Sequence, residues 1–572
     1  MSHSALKLKA VRERLARGPR AWRNRLWAHR ARLGGPPEVA AKLPEPILLG
    51  DAERGQALLS GRWLALGHTV AVGSRALWAA PIPDPRLEDE RQACLWLDDL
   101  AAIGNRHARA LAQAWVLDWI RRYGTGGGPG WEAEVAGRRA KRWTVHSALL
   151  VAGLDRVAAD RFWRALAAHQ RYLARAWTLA EPGLPRLRAL SGLVWTGVVL
   201  AHPGHPEALA EMAALAEELV DAEGDTPSRS PEDLAEILIL LIWTARLLED
   251  SDQHAMAPHL QAIVRAVPAV RPLRLGDGGM ARFNGGGAGD PGRLDQALAE
   301  LRLTTQPKPK LPLGFARLSG SRLIVVMDAA PPPGGAMATR AHAGTLGVEV
   351  SVGRQRLVVN AGPGRIFGGE WGLLSRQTAA HSTVEVDGRS SARFEATGLA
   401  ARTFGPRLVD GPAHVSVRQA QDASGQWLLA TQDGYVASHG LVEERRLFVD
   451  ARGQEVRGEE ILTVADARAR GQFERMATGG RLPFAARFHL HPDVAAELDE
   501  GRQQVALTLP SGEEWLFRAG GGTVGIEDSV YFDPAAPAPR PTQQVVVRAE
   551  VVEYLGQVTW SIARIAEPLA AV

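Results

Sequence analysis

Cysteine is almost absent: the 572-residue chain has one, Cys94. A single thiol makes no intramolecular disulfide, so the fold does not depend on an oxidising compartment. No apolar run reaches the roughly 20 residues that a membrane span needs. The longest, Leu190–Ala201 and Ile237–Leu241 with its extension to Trp243, read as buried helices. The opening stretch "MSHSALKLKAVRERLARGPRAWRNRLWAHRARLGG" lacks the apolar core of a Sec signal peptide. The expectation is therefore a cytoplasmic protein, or one peripheral at the inner membrane face. Tyrosine is scarce, with five against seventeen tryptophans. Trp-lined surfaces bind sugars, but a bulky core filler is the plainer reading.

What is present is a long, ordinary globular composition with an uneven charge. Apolar content is 46% and charged content 23%, and the length exceeds what one core supports, so two or three domains are expected. Residues 1–32 hold ten basic residues and one acid, Glu13, which is +9 against +4 for the whole chain. The remainder is slightly acidic, which gives no reason to expect nucleic-acid binding. The basic stretch interleaves Leu6, Leu8, Val11, Leu15, Trp22, Leu26 and Trp27. It reads as an amphipathic helix suited to peripheral contact with an anionic membrane, or as a solvated helix packed on the body.

From about Arg91 to Glu300 the periodicity is helical, with about eight helices joined by Gly, Pro and Asp turns. Paired helices of this length predict a solenoid or a ring of helical hairpins. Residues 46–90 include "GRWLALGHTVAVG", short apolar runs that suit a small hairpin. "TTQPKPKLPLG", 304–314, is a Pro-rich linker. Beyond it the period changes to two, in strands separated by Gly and Asp-Gly turns, among them Asp387-Gly388, which reads as a tight hairpin turn. The predicted order is a basic segment over 1–45, a helical domain over 46–303, the linker over 304–314 and an antiparallel β-sandwich over 315–572.

The second half then resembles the heparinase II/III-like polysaccharide lyases. "AHAGTLGVEVSVGRQRLVVNAGPG" is similar to the family segment in which a histidine-rich turn leads into a hairpin. Trp371 with "RQTAAHSTVEVDGRSS" resembles the Arg-x-Thr-x-x-His-Asn-Thr-Val signature, with Ser382 in place of Asn. "DGYVASHGLVEERRLFV", "RFHLHPDV" and "SVYF" also look like family text, as do "LWLDDLAAIG" and "LGDGGMARFNGGG" in the first half. The resemblance implies an incomplete α/α toroid followed by a large antiparallel sandwich. It implies cleavage of a uronate-containing acidic polysaccharide by β-elimination in the groove between them. A base removes the weakly acidic C5 proton, an acid protonates the leaving oxygen, and a further group neutralises the uronate. The alternative is a catalytically impaired glycan-binding or envelope-polysaccharide-associated protein on the same scaffold.

Several implied positions depart from that pattern. Asp233 stands where the toroid tyrosine is expected, Leu184 and Pro185 where the carboxylate-gripping residue is expected, and Arg340 at the first histidine of the turn. The remaining catalytic candidates are Tyr435, Arg340 and His342, with Arg376, Asn284 and Trp371 for substrate. His342, Asn360 and His381 match the family's metal positions, where two histidines and an acid suit zinc. Asn360 makes the third ligand a neutral amide, and a hydrogen-bonded corner is the competing reading. His489 and His491 share a strand face and read as packing or surface residues. The glycine-rich "GDGGMARFNGGGAGD" lacks the Gly-Lys-Ser/Thr of a phosphate loop. Glu513 and Glu514 are adjacent on a strand and diverge, so they form no glycosidase dyad.

Overall fold

The computed structural model describes residues 22–565 except 41, 46, 48–49, 74–76, 202–204, 302–310 and 502. Most of the basic N-terminal segment and of the Pro-rich linker therefore lie outside the described residues.

The first part is helical. After α1 (residues 22–31) and α2 (Ala52–Leu59), the strands β1 (Arg62–Ala65) and β2 (His68–Ala71) form the small hairpin expected there. Next come α3 (Pro85–Gln92), α4 (Leu95–Ile103), α5 (Arg106–Tyr123), α6 (Ala133–Val145) and α7 (Ser147–Val151). They are followed by α8 (Arg156–Ala176), α9 (Leu184–Val199), α10 (His205–Leu219), α11 (Pro231–Asp250), α12 (Ala257–Val270) and α13 (Pro291–Ala299). Side chains start several of these helices, because the first backbone N–H groups have no helical partner. Asn105 accepts from His107 and Ala108, Asp155 from Ala158, and Ser230 from Asp233.

Eleven of the seventeen tryptophans are buried, so they are core residues rather than a sugar-binding wall. Trp78, Trp96 and Trp115 meet edge to face, as do Trp119 and Trp143. Arg139 lies 3.9 Å over Trp119, fully buried among them. The α6–α9 crossing is tighter than any side chain allows. A Cβ on Gly192 would stand 2.4 Å from the Gly137 carbonyl oxygen.

The second part is all antiparallel. Its strands are β3 (Phe315–Ser319), β4 (Leu323–Asp328), β5 (Val348–Val352), β6 (Gln355–Val359), β7 (Val384–Val386), β8 (Arg393–Glu395) and β9 (Arg407–Val409). Then come β10 (Val415–Gln421), β11 (Gly425–Gln432), β12 (Leu441–Asp450), β13 (Glu455–Val464), β14 (Arg481–Leu490) and β15 (Ala495–Leu498). The last are β16 (Gln504–Thr508), β17 (Glu514–Gly520), β18 (Thr523–Tyr531), β19 (Arg540–Val552) and β20 (Leu555–Arg564). Sixteen strands form one sheet, whose main path runs β10-β11-β12-β13-β20-β19-β14-β6-β5-β4-β3. The sheet curls until β3 faces β10 and β11, where Gln419 donates to Arg317 O and Gln426 accepts from Ser319 N. Alternation puts Val, Leu and Phe in the layer between.

The Asp387-Gly388 turn forms as expected, with φ of +52° and +64°. Its partner strand differs from the hairpin that the sequence suggests. β7 pairs with β14, about 100 residues on, because the chain after the turn bends away to β8 and β9.

Replacing Gly192 with valine should push α6 and α9 apart and lower stability by about 3 kcal/mol, read by chemical denaturation. Retention of wild-type stability would show that this crossing is not close-packed.

Candidate active site

The two parts meet along a groove seamed by polar groups. Arg282, 2% exposed, donates to the carbonyls of Asn360, Ala361 and Phe532, and its guanidinium lies 3.6 Å over the Tyr531 ring. Its backbone N–H donates to Glu349 Oε2 at 3.0 Å. Arg356 joins Asp277 at 2.7 Å, and Arg229 joins Asp328 and the Leu313 carbonyl.

At this seam the N-terminus of α11 faces the turn that carries Arg340 and His342. Arg340 reaches across and pairs with Asp233 at 3.3 Å. The residue at the expected tyrosine position is thus joined to the residue at the expected histidine position. Asn284 sits with φ of +49° and is 3% exposed. Its amide donates to Arg229 O at 3.2 Å, and its Oδ1 lies 3.5 Å from His342 N. It ties backbone to backbone, which corrects its placement among substrate-binding residues.

His342 and His381 contact each other, Nδ1 to Nε2, at 3.1 Å. His381 Nδ1 donates to Gln377 O at 2.7 Å, so its Nε2 accepts and His342 Nδ1 donates. Burial lowers both rings below the ordinary histidine range, His381 to about 4 and His342 well below 6.5, the latter also repelled by Arg376 and Arg340. Both are neutral at pH 7. Asn360 is fully buried, and its Oδ1 accepts from Ser382 N at 3.0 Å. Ser382 itself donates to Val359 O and accepts from His489 N. The third acceptor and the shared ring nitrogen are thus committed to protein partners, and the ligand set carries no charge. The trio does not fit a zinc ion, and no group of three or more His, Cys, Asp or Glu suited to a metal occurs among the described residues.

Two further assignments need correction. Tyr435 is fully buried in the sandwich, with its hydroxyl donating to Val384 O at 2.8 Å and its acidity suppressed by burial. It carries no proton to a groove. Arg376 is 3% exposed and donates to the carbonyls of Ala341, Pro406 and Ala338, so it braces the turn. Trp371, 37% exposed, stays accessible. It stands T-shaped to Phe532 beside a cavity of about 310 Å3 that Leu374, Gln377, His489 and Asp528 also line. His489 is occupied by Ser529 and Ala379 O, and His491 stands against Tyr531.

The groups that sequence reasoning missed are long-range. Along the helix N-termini leading to Asp233 runs a chain of alternating charge. Arg138 pairs with Glu90, Arg188 with Glu134 at 2.8 Å and Glu236 at 3.8 Å, and Arg293 with Glu236 at 3.0 Å. Burial raises the Glu236 carboxyl, but Arg293 and Arg188 outweigh it and hold it below the usual carboxylate range. Glu232 accepts from Gly287 N, and burial raises its pKa. No motif marks these pairs, since their members lie 48–57 residues apart in the chain.

Fold and groove together define the class. Residues 305–561 match the model of the heparinase II/III-like C-terminal domain, and the chain belongs to the heparinase II/III-like family. It is similar to FtsZ-localized protein C of Caulobacter vibrioides (strain NA1000 / CB15N), at 32% identity over 553 residues, covering 94% of this chain and 92% of that protein. The fold is shared with heparinase III, at TM-score 0.67 and 10% identity, covering 98% of this chain and 92% of that one. It is also shared with a mutant of the heparan sulfate lyase HepC of Pedobacter heparinus, at TM-score 0.56 and 14% identity, covering 95% and 88%.

Both histidines have depressed pKa values in the fold, so the unfolded chain takes up protons first as pH falls. Their stabilisation is complete above about pH 6.5 and is lost as pH drops toward 4. His381→Gln should flatten the melting temperature over that window, and an unchanged slope would contradict the assignment. Elemental analysis should find the purified chain free of zinc, with melting indifferent to chelator; one zinc per chain would overturn the hydrogen-bonded reading.

Proposed function

We propose that this chain is a non-lytic member of its family, a binding protein at the cytoplasmic face of the membrane that localises with FtsZ. The Asp233–Arg340 pair carries this reading. β-Elimination needs a base with a pKa near the working pH and a free group for the uronate. Asp233 and Arg340 neutralise each other, and the neighbouring histidines bind protons too weakly to draw off a carbon acid's proton. The five tyrosines stand in other roles. Tyr172 and Tyr435 are buried donors, Tyr531 lies under Arg282, Tyr554 bonds Glu474, and Tyr123 packs on Trp78 and Trp119. The compensated charges along the helix N-termini also offer an acidic polymer little attraction.

The similarity to FtsZ-localized protein C supports the cellular role, because it extends over both domains. The N-terminus supports the place. In α1, Asn24, Ala28 and Ala31 face the body, while Trp22, Arg25 and Arg30, and Arg32 just beyond it, are exposed. A basic face of this kind is attracted to anionic lipid within about a Debye length.

Purified protein should release no ultraviolet-absorbing unsaturated uronate from heparan, alginate or bacterial capsule polymers, and a fluorescent fusion should coincide with FtsZ. Turnover of any of these polymers would overturn the non-lytic reading, and a diffuse fusion the cellular one. Deleting residues 1–21, which removes six of the ten basic residues and keeps α1 with its buried face, should sharply weaken sedimentation with phosphatidylglycerol vesicles and leave the fold intact. Binding unchanged by deletion or high salt would refute the membrane role.

A further inference from the structure

We infer that the open edge of β10 is a docking site for an extended acidic peptide of a partner protein, bound as an added strand. This site is separate from the groove and does not rest on the reading above.

β10 ends the main path of the sheet, and among the described residues nothing pairs with its outer side. Edge strands usually carry protection: several charges, a proline, or a covering segment. β10 reads Val-Ser-Val-Arg-Gln-Ala-Gln, seven residues with one charge and no proline. The hydrogen bond from Asp422 N to Gly425 O sets the phase of the β10–β11 ladder. Pairs alternate from there, so Ser416, Arg418 and Ala420 spend their backbone groups on β11. The N–H and C=O groups of Val415, Val417, Gln419 and Gln421 point to the open side.

The outer face specifies the occupant. Ser416, Arg418 and Ala420 share it with Trp427, Leu429 and Thr431 of β11, as the Ser416–Thr431 hydroxyl contact of 2.7 Å confirms. Trp427 is 46% exposed and tilts on Phe448 at 4.3 Å. Ala420 is the only side chain between Trp427 and the open edge, so the ring is within reach of a large apolar side chain one strand out. Arg418 is exposed and has no ion pair among the described residues. By contrast, Arg446 is held by Glu444 and Glu459, and Arg457 by Glu455. An acid opposite Arg418 would give this guanidinium the partner that Arg446 and Arg457 already have.

A second copy of the chain suits the edge poorly. Antiparallel pairing of two β10 strands about their midpoint sets Arg418 against Arg418, and like charges directly opposite destabilise a sheet. Main-chain bonds thus supply the affinity, and Arg418 with Trp427 the selectivity.

The test uses two fluorescent heptapeptides, Thr-Val-Phe-Val-Glu-Val-Thr and the same with lysine for glutamate, because an aromatic and an acid two positions apart fall on the one face that Trp427 and Arg418 share. Anisotropy with the full chain should show saturable binding of the glutamate peptide only, with Trp427 emission shifting in step. Gln419→Pro removes one outward N–H without costing a backbone bond to β11, and Gln419→Ala, which loses the same side-chain bond to Arg317 O, is its control; the proline variant should bind roughly tenfold or more weaker than the alanine variant. Arg418→Glu should exchange the preference between the two peptides. Three results would overturn the proposal: no binding of the glutamate peptide, affinity indifferent to Arg418→Glu, or equal binding of both peptides by the wild type. Dimerisation in sedimentation that Gln419→Pro abolishes would assign the edge to a second copy instead.

Discussion

The arrangement of this molecule depends on charged side chains buried where the toroid meets the sandwich. A buried guanidinium is costly unless its N–H groups are matched. Arg282 meets that demand with three carbonyls of the sandwich, Arg356 with Asp277 and Glu349, and Arg229 with Asp328 and the start of β3. Removing either partner would strand the other in a dry interface. The two domains are therefore held in one relation, and the groove between them inherits its shape from these contacts.

The same logic extends into the groove. Where a lyase needs groups left free to bind and ionise a substrate, this chain has paired them with one another. Asp233 spans to Arg340, His342 leans on His381, Asn360 holds the backbone of Ser382, and Arg376 braces the turn. Each of these residues spends a donor or acceptor on another part of the chain. On the non-lytic reading proposed above, fold and chemistry separate because the scaffold rests on the core and the seam, while activity rests on a few uncommitted groups.

Much of this was legible in the sequence. The switch of hydrophobic period after the Pro-rich linker marked the change from helices to strands, the small hairpin near Gly67 was visible, and the Asp387-Gly388 turn was named. Signature residues carried the family, and the departures at Asp233 and Arg340 were visible as substitutions. Their pairing was not, because it joins residues 107 apart whose contact exists only after both domains dock. Tyr435 failed for a related reason: a tyrosine in a turn between strands looks the same in sequence whether its hydroxyl points to solvent or to a carbonyl in the core. Arg282 sat unnoticed in a glycine-rich link, because its burial and its three carbonyl partners exist only once the sandwich is folded against it.

The central claim is that the groove is an internally satisfied seam and not a cleft for acidic glycan. Calorimetric titration of the full chain with heparan sulfate oligosaccharides at low ionic strength tests it most directly, because weak electrostatic binding is then least screened. The account predicts no saturable heat. Saturable binding that Arg340→Ala abolishes would contradict it, since it would mean that the guanidinium leaves Asp233 for a uronate.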